Sequence, residues 1–434
     1  MSRNKLLKNT FLLILGGFIT KILGFIIKIL YTRYLKNEGV SLIMLIFPTY
    51  SLLLTISGFA LPLGVMKLTA EQKIRKSKIL FSSFWISMFI NTIIIMLVII
   101  FANFFSTTIL HEPRCSILII ILCVTLPFVS TTSLIKAYFF GSENIKPIIF
   151  SNVSEEIIKL IMVILFLPNM INKGIFYGVI FYLFINIICE IISFIILFIF
   201  LPKRINIKKL SYKYDNKCVN NLTKIALPTL LGRIVGNLGY FFEPIILTNL
   251  LIYKGFNSSY IRLNYGYFQG YVIAILTLPS FFLLALSNNL VPQISKLKVH
   301  NKYQKIKKIS YKIIITIFFA AVIYMLFLYF FGKNIMYILY NTTKGYKYLK
   351  TLLPFFAFFY LESPFIAILQ GLDQEKKIFK VTTFGIIVKY ISLVLLIYFN
   401  CGFVSLIISE IINILFVISL YIYYLNKSFH CLSQ

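Results

Sequence analysis

Four residues of the first apolar segment have the types and the spacing to bind an anionic group. They occur at i, i+4, i+7 and i+11, which places them on one face of a helix: Gly17, Lys21, Gly24 and Lys28. A basic side chain at mid-bilayer costs roughly 2.5–3.5 kcal/mol, so its charge must face protein, water or another charge. The glycines would let a second helix or a large ligand approach the lysines. This stripe is therefore a candidate binding surface.

The two lysines of the stripe have different alternatives. Lys28 is close enough to the end of the apolar run for its stem to reach an interface, so snorkelling and a binding role both stay open. Lys21 lies deeper, and we expect it to face a central cavity. Its counterpart in the second half of the chain is Arg233. The candidate substrate-binding residues are thus Lys21, Lys28 and Arg233.

Other charges also lie inside apolar segments. Glu155 and Glu156 precede Lys159 by four and three residues, the spacing of an intrahelical ion pair, which we favour over a site for a coupling ion. Glu190 and Glu410 either tie helices together or carry a proton, and we favour the structural role. The candidates for helix packing or ion coupling are Glu155, Glu156, Lys159, Glu190, Lys389 and Glu410.

Two further glutamates lie next to prolines, which free backbone groups inside a helix. Glu243 directly precedes Pro244, and Glu362 comes two residues before Pro364. These positions predict helix irregularities. The roles of both glutamates stay open.

Composition identifies the elements that must hold these charges. Of the 434 residues, 59% are hydrophobic and 13% are charged, and long apolar runs occur throughout, which is typical of polytopic membrane proteins. Segments of about 20 apolar residues predict an all-α integral membrane fold with about twelve transmembrane helices. The predicted helices are 10–32, 40–66, 79–105, 115–141, 147–168, 175–201, 220–249, 264–291, 309–331, 348–371, 378–399 and 401–425.

The distribution of lysine and arginine predicts the orientation in the cell membrane. With both termini in the cytoplasm, the segments on the inside carry more basic residues than the loops on the outside, as the positive-inside rule requires. The outside loop 332–350, which contains Lys333, Lys344, Lys347 and Lys350, is the exception. This asymmetry accounts for most of the +30 formal charge, so we expect membrane lipids as partners and no nucleic acid.

Internal repetition divides the chain into two lobes of six helices. The segment 20–24 (TKILG) matches 232–236 (GRIVG), and 137–146 (AYFFGSENIK) matches 367–376 (AILQGLDQEK). In the same order, Lys159 falls on Lys389 and Glu190 falls on Glu410. Because six is an even number, the two lobes are parallel repeats around an axis along the membrane normal, an arrangement of transporters with a central cavity. The predicted domains are a lobe at 1–202, a basic cytoplasmic linker at 203–219 and a lobe at 220–434.

Enzyme chemistry is not indicated. The six cysteines form no CxxC pair, and the three histidines lie outside the apolar runs, so no metal site and no disulfide framework is expected. The chain shows no nucleophile motif and no acidic cluster with metal-ligand spacing. We therefore predict no catalytic residues, no metal and no cofactor.

Four segments resemble the stage V sporulation protein B group of polysaccharide-type exporters. They are 21–71, beginning KILGFIIKILYTRYLKNEG, 225–238 (IALPTLLGRIVGNL), 284–295 (LALSNNLVPQIS) and 369–377 (LQGLDQEKK). These exporters belong to the superfamily of the lipid II flippases, the O-antigen flippases and the multidrug and toxin extrusion proteins. The resemblance implies a V-shaped fold of two lobes that moves a large lipid-linked saccharide across the membrane, and it implies a bacterium that sporulates.

The resemblance also implies roles for the basic residues. In lipid II flippases, basic residues of the first span and of the first or second span after the midpoint contact the pyrophosphate of the substrate. Lys21, Lys28 and Arg233 are the positions that fit this pattern. The chain departs from the pattern in having lysine where arginine is more usual, and about twelve predicted spans where lipid II flippases have more.

We therefore expect a flippase for an undecaprenyl-pyrophosphate-linked saccharide, such as the peptidoglycan precursor of the spore cortex, that works by alternating access as a monomer. One alternative is a cation-coupled multidrug exporter of the same superfamily, although the first span has no acidic residue before Glu38. Another is a non-transporting scaffold that recruits cell-wall synthesis enzymes through the basic loops 203–219 and 293–308. Anionic-lipid contact and topology explain those loops better.

Overall fold

The computed structural model describes residues 3–71, 74–202 and 216–433, and every regular element in these ranges is a helix. Most of the predicted basic linker 203–219 lies outside the described residues. By their internal contacts, the residues form two compact units, Met1–Phe242 and Glu243–Gln434. Unbroken helical hydrogen bonding is what such apolar sequences require, because lipid offers no partner to a backbone N–H or C=O group.

The first unit contains seven helices and the start of an eighth. Helix α1 packs against α4, α5 and α7, while α4 also packs against α2, α3 and α7. A π-helical turn, Phe105–Ile109, extends α3. The helices are α1 (Arg3–Gly58), α2 (Leu61–Glu71), α3 (Lys76–Phe104), α4 (Cys115–Gly141), α5 (Lys146–Leu165), α6 (Leu167–Ile171), α7 (Ile175–Ile199) and the beginning of α8 (Asn216–Tyr253).

Helix α1 contains the predicted span 10–32, most of the predicted span 40–66 and the break between them. Lys36 has a φ of 53° and a ψ of −169°, which interrupts the helical backbone. Just beyond this break, Glu38 lies 2.7 Å from the guanidinium of Arg114, and Glu112 lies 2.7 Å from another nitrogen of the same group. The guanidinium donates hydrogen bonds to these carboxylates, and the bonds to Glu112 first and to Glu38 second raise the pKa of Arg114 above its usual value. The ion pairs tie the break in α1 to the loop before α4.

The second unit holds the rest of α8 and eight further helices. Helix α15 packs against α16, α11 against α14, and α13 against both α12 and α16. A π-helical segment, Gly266–Val272, joins α9 to α10. The helices are α9 (Ser258–Tyr265), α10 (Ile273–Leu276), α11 (Ser280–Val299), α12 (Tyr303–Tyr340), α13 (Tyr346–Phe359), α14 (Glu362–Gly371), α15 (Glu375–Tyr398) and α16 (Val404–Ser433).

Among the described residues, nine helical stretches are long and apolar enough to cross a membrane. One of them, Leu15–Glu71, has 57 residues. At about 1.5 Å per residue it is far longer than a bilayer core of about 30 Å, so it contains more than one crossing. The predicted span 147–168 carries Glu155, Glu156 and Lys159, and 264–291 is divided among short helices. The count of twelve stays a prediction.

The two predicted irregularities at prolines have different outcomes. Helix α13 ends at Phe359 and α14 begins at Glu362, so the chain does break just before Pro364. Helix α8, in contrast, continues past Glu243 and Pro244 to Tyr253. Helix α8 is therefore not interrupted at Pro244, and Glu243 has side-chain partners.

Candidate functional site

The lysine–glycine stripe of α1 lies on one of two exposed faces. Lys21 is exposed and Lys28 is partly buried. The other face carries exposed apolar side chains, Leu15, Phe18, Ile22 and Ile26. At 3.6 residues per turn, this apolar stripe and the stripe of Lys21 and Lys28 fall on roughly opposite sides of the helix. The apolar side suits lipid, and the charged side suits protein or water.

The two glycines of the stripe have different surroundings. A Cβ atom added to Gly17 would meet nothing within 4 Å, so open space lies beside Lys21 on this face. A Cβ atom added to Gly24 would lie 3.7 and 3.8 Å from the carboxylate oxygens of Glu156 on α5. The chain therefore leaves open space beside Gly17, while the position between the two lysines faces an acidic residue.

Arg233 lies on α8 with open space on both sides. Its side chain is exposed, and Cβ atoms added to Gly232 and Gly236 would meet nothing within 4 Å. One turn later, the amide of Asn237 is held from both ends by α1. Its oxygen accepts a hydrogen bond from Ser51 Oγ at 2.8 Å, and its nitrogen donates to Thr55 Oγ1 at 2.9 Å. These bonds fix the rotation of this part of α8 relative to α1.

The buried charges of the first unit form contacts between helices. Glu155 on α5 lies 3.7 Å from the ammonium of Lys136 on α4. Lys159 donates a 2.5 Å hydrogen bond to Asn186 on α7 and lies over the ring of Tyr182. Lys159 has no ion pair within 4 Å with Glu155 or Glu156 in the described ranges, so the intrahelical pair stays a prediction. Neighbouring helices supply nearer partners than the glutamates one turn away.

Glu190 also connects two helices. Its carboxylate on α7 accepts a 3.1 Å hydrogen bond from Thr132 on α4. The side chain of Glu190 is partly buried. This contact suits the helix-tying role that the sequence favours, and a role in proton transfer stays a prediction.

In the second unit, one lysine joins two carboxylates from separate helices. The Lys389 ammonium on α15 lies 2.6 Å from Glu243 on α8 and 2.6 Å from Glu410 on α16. The second contact is a close ion pair whose angle departs from hydrogen-bond geometry. Glu243 also accepts hydrogen bonds from Tyr265 at 3.1 Å and Gln269 at 2.6 Å. Only 2% of its side chain is exposed, so every partner acts in a nearly dry environment.

Sequence reasoning brought Lys389 and Glu410 forward as members of a repeat but left Glu243 without a role. Glu243 has no charged counterpart at short range along the chain, because its partner Lys389 lies 146 residues away. The available signal was an acidic residue beside a proline in an apolar run. Only the side-chain contact between Glu243 on α8 and Lys389 on α15 shows what that residue binds.

A small acidic cavity lies next to this cluster in the second unit. Its volume is about 100 Å³, and Glu362, Thr382, Glu410 and Asn413 contribute its polar lining. The buried amide oxygen of Asn413 has no hydrogen-bond partner within the described ranges. No group of three His, Cys, Asp or Glu side chains in those ranges has the arrangement of a metal site.

Six basic residues of the spans fall into two classes. Lys136, Lys159 and Lys389 each have a polar or acidic partner on another helix. In contrast, the structure gives no hydrogen bond or ion pair to the side chains of the three candidate binding residues within the ranges it describes; these are Lys21, Lys28 and Arg233. The second class is the one with charge to offer to an anionic ligand.

Comparison with known proteins gives the family. A family model described as "Polysaccharide biosynthesis protein" matches residues 6–298. The chain belongs to the polysaccharide biosynthesis protein family. This family member is 28% identical over 411 residues to Stage V sporulation protein B of Bacillus subtilis (strain 168), covering 90% of this chain and 77% of the relative. It is 23% identical over 385 residues to Sporulation protein YkvU of the same organism, covering 87% and 84%. The resemblance to the sporulation group is confirmed.

Solved structures show the fold of this polysaccharide biosynthesis family member. An inward-facing multidrug resistance MATE family transporter superposes with a TM-score of 0.80 at 13% identity, covering 95% of each chain. The lipid II flippase MurJ in an inward closed conformation gives a TM-score of 0.71 at 18% identity, covering 98% of this chain and 90% of that one. The predicted all-α, multi-pass membrane fold of a transporter is confirmed.

Proposed function

We propose that this protein moves an undecaprenyl-pyrophosphate-linked saccharide across the cytoplasmic membrane by alternating access. The observation that carries the proposal is the contrast between the paired and unpaired basic residues. In the described part of the chain, the side chains of Lys21, Lys28 and Arg233 have no hydrogen bond and no ion pair within 4 Å, whereas Lys136, Lys159 and Lys389 each have a close polar or acidic partner. A charge without an internal partner is costly in a membrane. An anionic headgroup supplies the missing partner.

Each part of the substrate has a proposed location. Lys21 and Arg233 hold the pyrophosphate, with Lys28 as a further contact, because attraction between opposite charges grows as the dielectric constant falls. The open space at Gly17, Gly232 and Gly236 leaves room for a bulky headgroup beside these charges. The saccharide lies in the polar part of the cavity, and the polyprenyl tail stays in the lipid.

A sporulation role is proposed from the two curated relatives. Both carry sporulation in their names, Stage V sporulation protein B and Sporulation protein YkvU. On this basis the substrate is the peptidoglycan precursor of the spore cortex. Expression of this chain in Bacillus subtilis that lacks Stage V sporulation protein B should restore heat-resistant spores. A failure at matched membrane levels would remove the sporulation role and leave the transport proposal in place.

We also propose the orientation and the organisation of the protein in the cell membrane. Both termini lie in the cytoplasm, as the distribution of lysine and arginine indicates. The lobes 1–202 and 220–434 move as the two halves of a monomer, joined by the linker 203–219. A reporter domain that is active only in the cytoplasm should be active when fused to either terminus. Purification in mild detergent should give a monomer. Cell-wall synthesis enzymes that co-purify with the protein would identify its partners.

Transport itself is tested in proteoliposomes with a fluorescent disaccharide linked to a prenyl pyrophosphate. Wild type should flip this lipid, and Lys21→Gln and Arg233→Gln should not, at equal reconstitution. The matched control is Lys224→Gln, because Lys224 is an exposed lysine on the same helix as Arg233. If wild type flips nothing, the substrate class is wrong. If both variants flip normally, the basic residues have another role.

The alternative is a cation-coupled multidrug exporter. The observation that favours it is the acidic cavity of the second unit, where Glu362 and Glu410 provide carboxylates for a cationic drug or a coupling ion. Against it, Lys389 already neutralises Glu410 at 2.6 Å. Cells that overproduce the protein should show unchanged ethidium accumulation under our proposal. Lower accumulation that depends on Glu362 would support the exporter.

A further inference from the structure

One acidic side chain lies against the lysine stripe of α1. The carboxylate oxygens of Glu156 on α5 are 3.7 and 3.8 Å from the position that a Cβ atom on Gly24 would occupy. Gly24 is the stripe position between Lys21 and Lys28, three residues after one and four residues before the other. The carboxylate of Glu156 therefore lies over the middle of the stripe.

Glu156 differs from the neighbouring acid in having no fixed partner. Within the ranges that the structure describes, its carboxylate has no ion pair within 4 Å, whereas Glu155 pairs with Lys136 at 3.7 Å. The nearest basic residue on its own helix, Lys159, donates to Asn186 at 2.5 Å. The charges that act on the Glu156 carboxylate are those of Lys159, Glu155 and Lys21. In the described ranges, neither the carboxylate of Glu156 nor the ammonium of nearby Lys21 has an ion pair within 4 Å.

Both stripe lysines are within reach of this carboxylate. Side chains three and four residues apart on one helix face have Cβ atoms about 5–6 Å apart, so Lys21 and Lys28 flank the position of Gly24. A lysine carries its ammonium on a flexible stem of four carbons. A stem of this length allows either ammonium to approach Glu156 by a change of rotamer.

We propose that Glu156 is the internal counter-ion of the Lys21–Lys28 stripe and competes with the anionic headgroup of the substrate for these lysines. The inference rests on the proposed function. Transport requires a site that binds strongly enough to capture the substrate and weakly enough to release it. Glu156 lowers the affinity of the site for the headgroup, because its carboxylate competes for the lysines and pairs with them when the headgroup leaves. It also neutralises the empty stripe while the protein returns to its starting conformation.

The experiment compares affinity with turnover in the full-length protein. Farnesyl pyrophosphate is the probe for binding to protein in nanodiscs, with farnesol as the probe that lacks the pyrophosphate. Glu156→Gln removes the charge and keeps the shape, so the dissociation constant for farnesyl pyrophosphate should fall by roughly tenfold. The maximal rate of flipping in proteoliposomes should fall as release slows. If Glu156 had only a structural role, its replacement by glutamine would not tighten the binding of farnesyl pyrophosphate.

Two further variants complete the comparison. Glu155→Gln is the matched control, because Glu155 is the adjacent acid but is paired with Lys136. The dissociation constant of this variant for farnesyl pyrophosphate should stay at the wild-type value. Glu156→Asp keeps the charge but withdraws it by one methylene group, so its dissociation constant should lie between those of wild type and Glu156→Gln. If Glu156→Gln does not fold, this intermediate value decides the proposal.

The outcomes separate this inference from the proposed function. If wild type binds farnesyl pyrophosphate no better than farnesol, and Lys21→Gln changes nothing, the proposed function fails. If Lys21→Gln weakens binding but Glu156→Gln and Glu156→Asp leave affinity and rate unchanged, the inference is overturned and the proposed function stands. An affinity lowered by Glu156→Gln also overturns it, because that result makes Glu156 a contact that assists binding.

Discussion

The ammonium nitrogen of Lys389 lies 2.6 Å from a carboxylate oxygen of Glu410 on the neighbouring helix α16. The repeat places Lys159 at the equivalent position of the first half, and its ammonium reaches Asn186 on α7, one turn before Glu190. In each half, a lysine of the fifth predicted span is held by the sixth. These contacts link neighbouring helices, and we propose that Lys21 and Lys28 of α1, which lack such contacts, bind the substrate.

Replacing Lys389 by methionine should destabilise the protein strongly. The change leaves the carboxylates of Glu243 and Glu410 without their shared cation, and loss of one partner of a buried ion pair costs about 3–5 kcal/mol. Thermal unfolding in detergent should show a clearly lower midpoint. Lys380→Met on the same helix is the control. Because Lys380 is exposed, this variant should unfold like wild type.

Adding Glu243→Gln to Lys389→Met should recover part of the lost stability. Glu243 is the more buried of the two carboxylates, with 2% of its side chain exposed, so its unpaired charge dominates the cost. The amide keeps the acceptor oxygen for Tyr265 and Gln269. Unfolding midpoints of the single and double variants check this point. A double variant less stable than Lys389→Met would contradict the electrostatic account.

Two glycines should respond oppositely to larger side chains. A Cβ atom on Gly141 would lie 2.5 Å from the backbone oxygen of Met66, so Gly141→Ala should destabilise the protein by about 1–3 kcal/mol through overpacking. Gly236 faces open space, so Gly236→Leu should unfold like wild type but flip the lipid-linked probe more slowly. Normal flipping by Gly236→Leu would show that the space beside Arg233 is not used by substrate.

Asn237 should affect transport through the placement of Arg233. Asn237→Ala removes the hydrogen bonds to Ser51 and Thr55, each worth about 1 kcal/mol, and frees this part of α8 to rotate. Flipping should slow more than the modest loss of stability explains. Asn221→Ala is the matched control on the same helix, because Asn221 is exposed. Equal flipping by the two variants would mean that Arg233 needs no such support.

A buried polar network in the first unit should matter for stability alone. Asn91 accepts a 2.7 Å hydrogen bond from Ser57 and donates a 3.0 Å bond to Ser130, which joins α3 to α1 and α4. Asn91→Ala leaves the buried Ser57 hydroxyl without its acceptor and removes the bond to Ser130, at about 1–3 kcal/mol. The adjacent Thr92→Ala, at an exposed position, should cost much less. Flipping per folded molecule should be the same in both variants.

The sequence alone determined the membrane class and the family, and it predicted a repeat in the positions of the charges. The length of the apolar runs is sufficient to identify a membrane protein, because a helix, which forms all its backbone hydrogen bonds internally, is one of the few structures that can span lipid. The stripe of Lys21 and Lys28 also follows from sequence, since helical periodicity fixes which residues share a face. The boundaries of the helices were harder to predict from the sequence. The break within α1 depends on the backbone conformation of Lys36, which no local sequence pattern indicates.

Tertiary structure alone decided which charges are paired. Spacing along α5 predicted a pair between Lys159 and its own helix, but α4 and α7 supply the partners of Glu155 and Lys159. Glu243 meets Lys389 across 146 residues, a separation that local sequence patterns cannot bridge. Ion pairing depends on distances of a few ångströms between side chains of different helices, and those distances are set only when the helices pack.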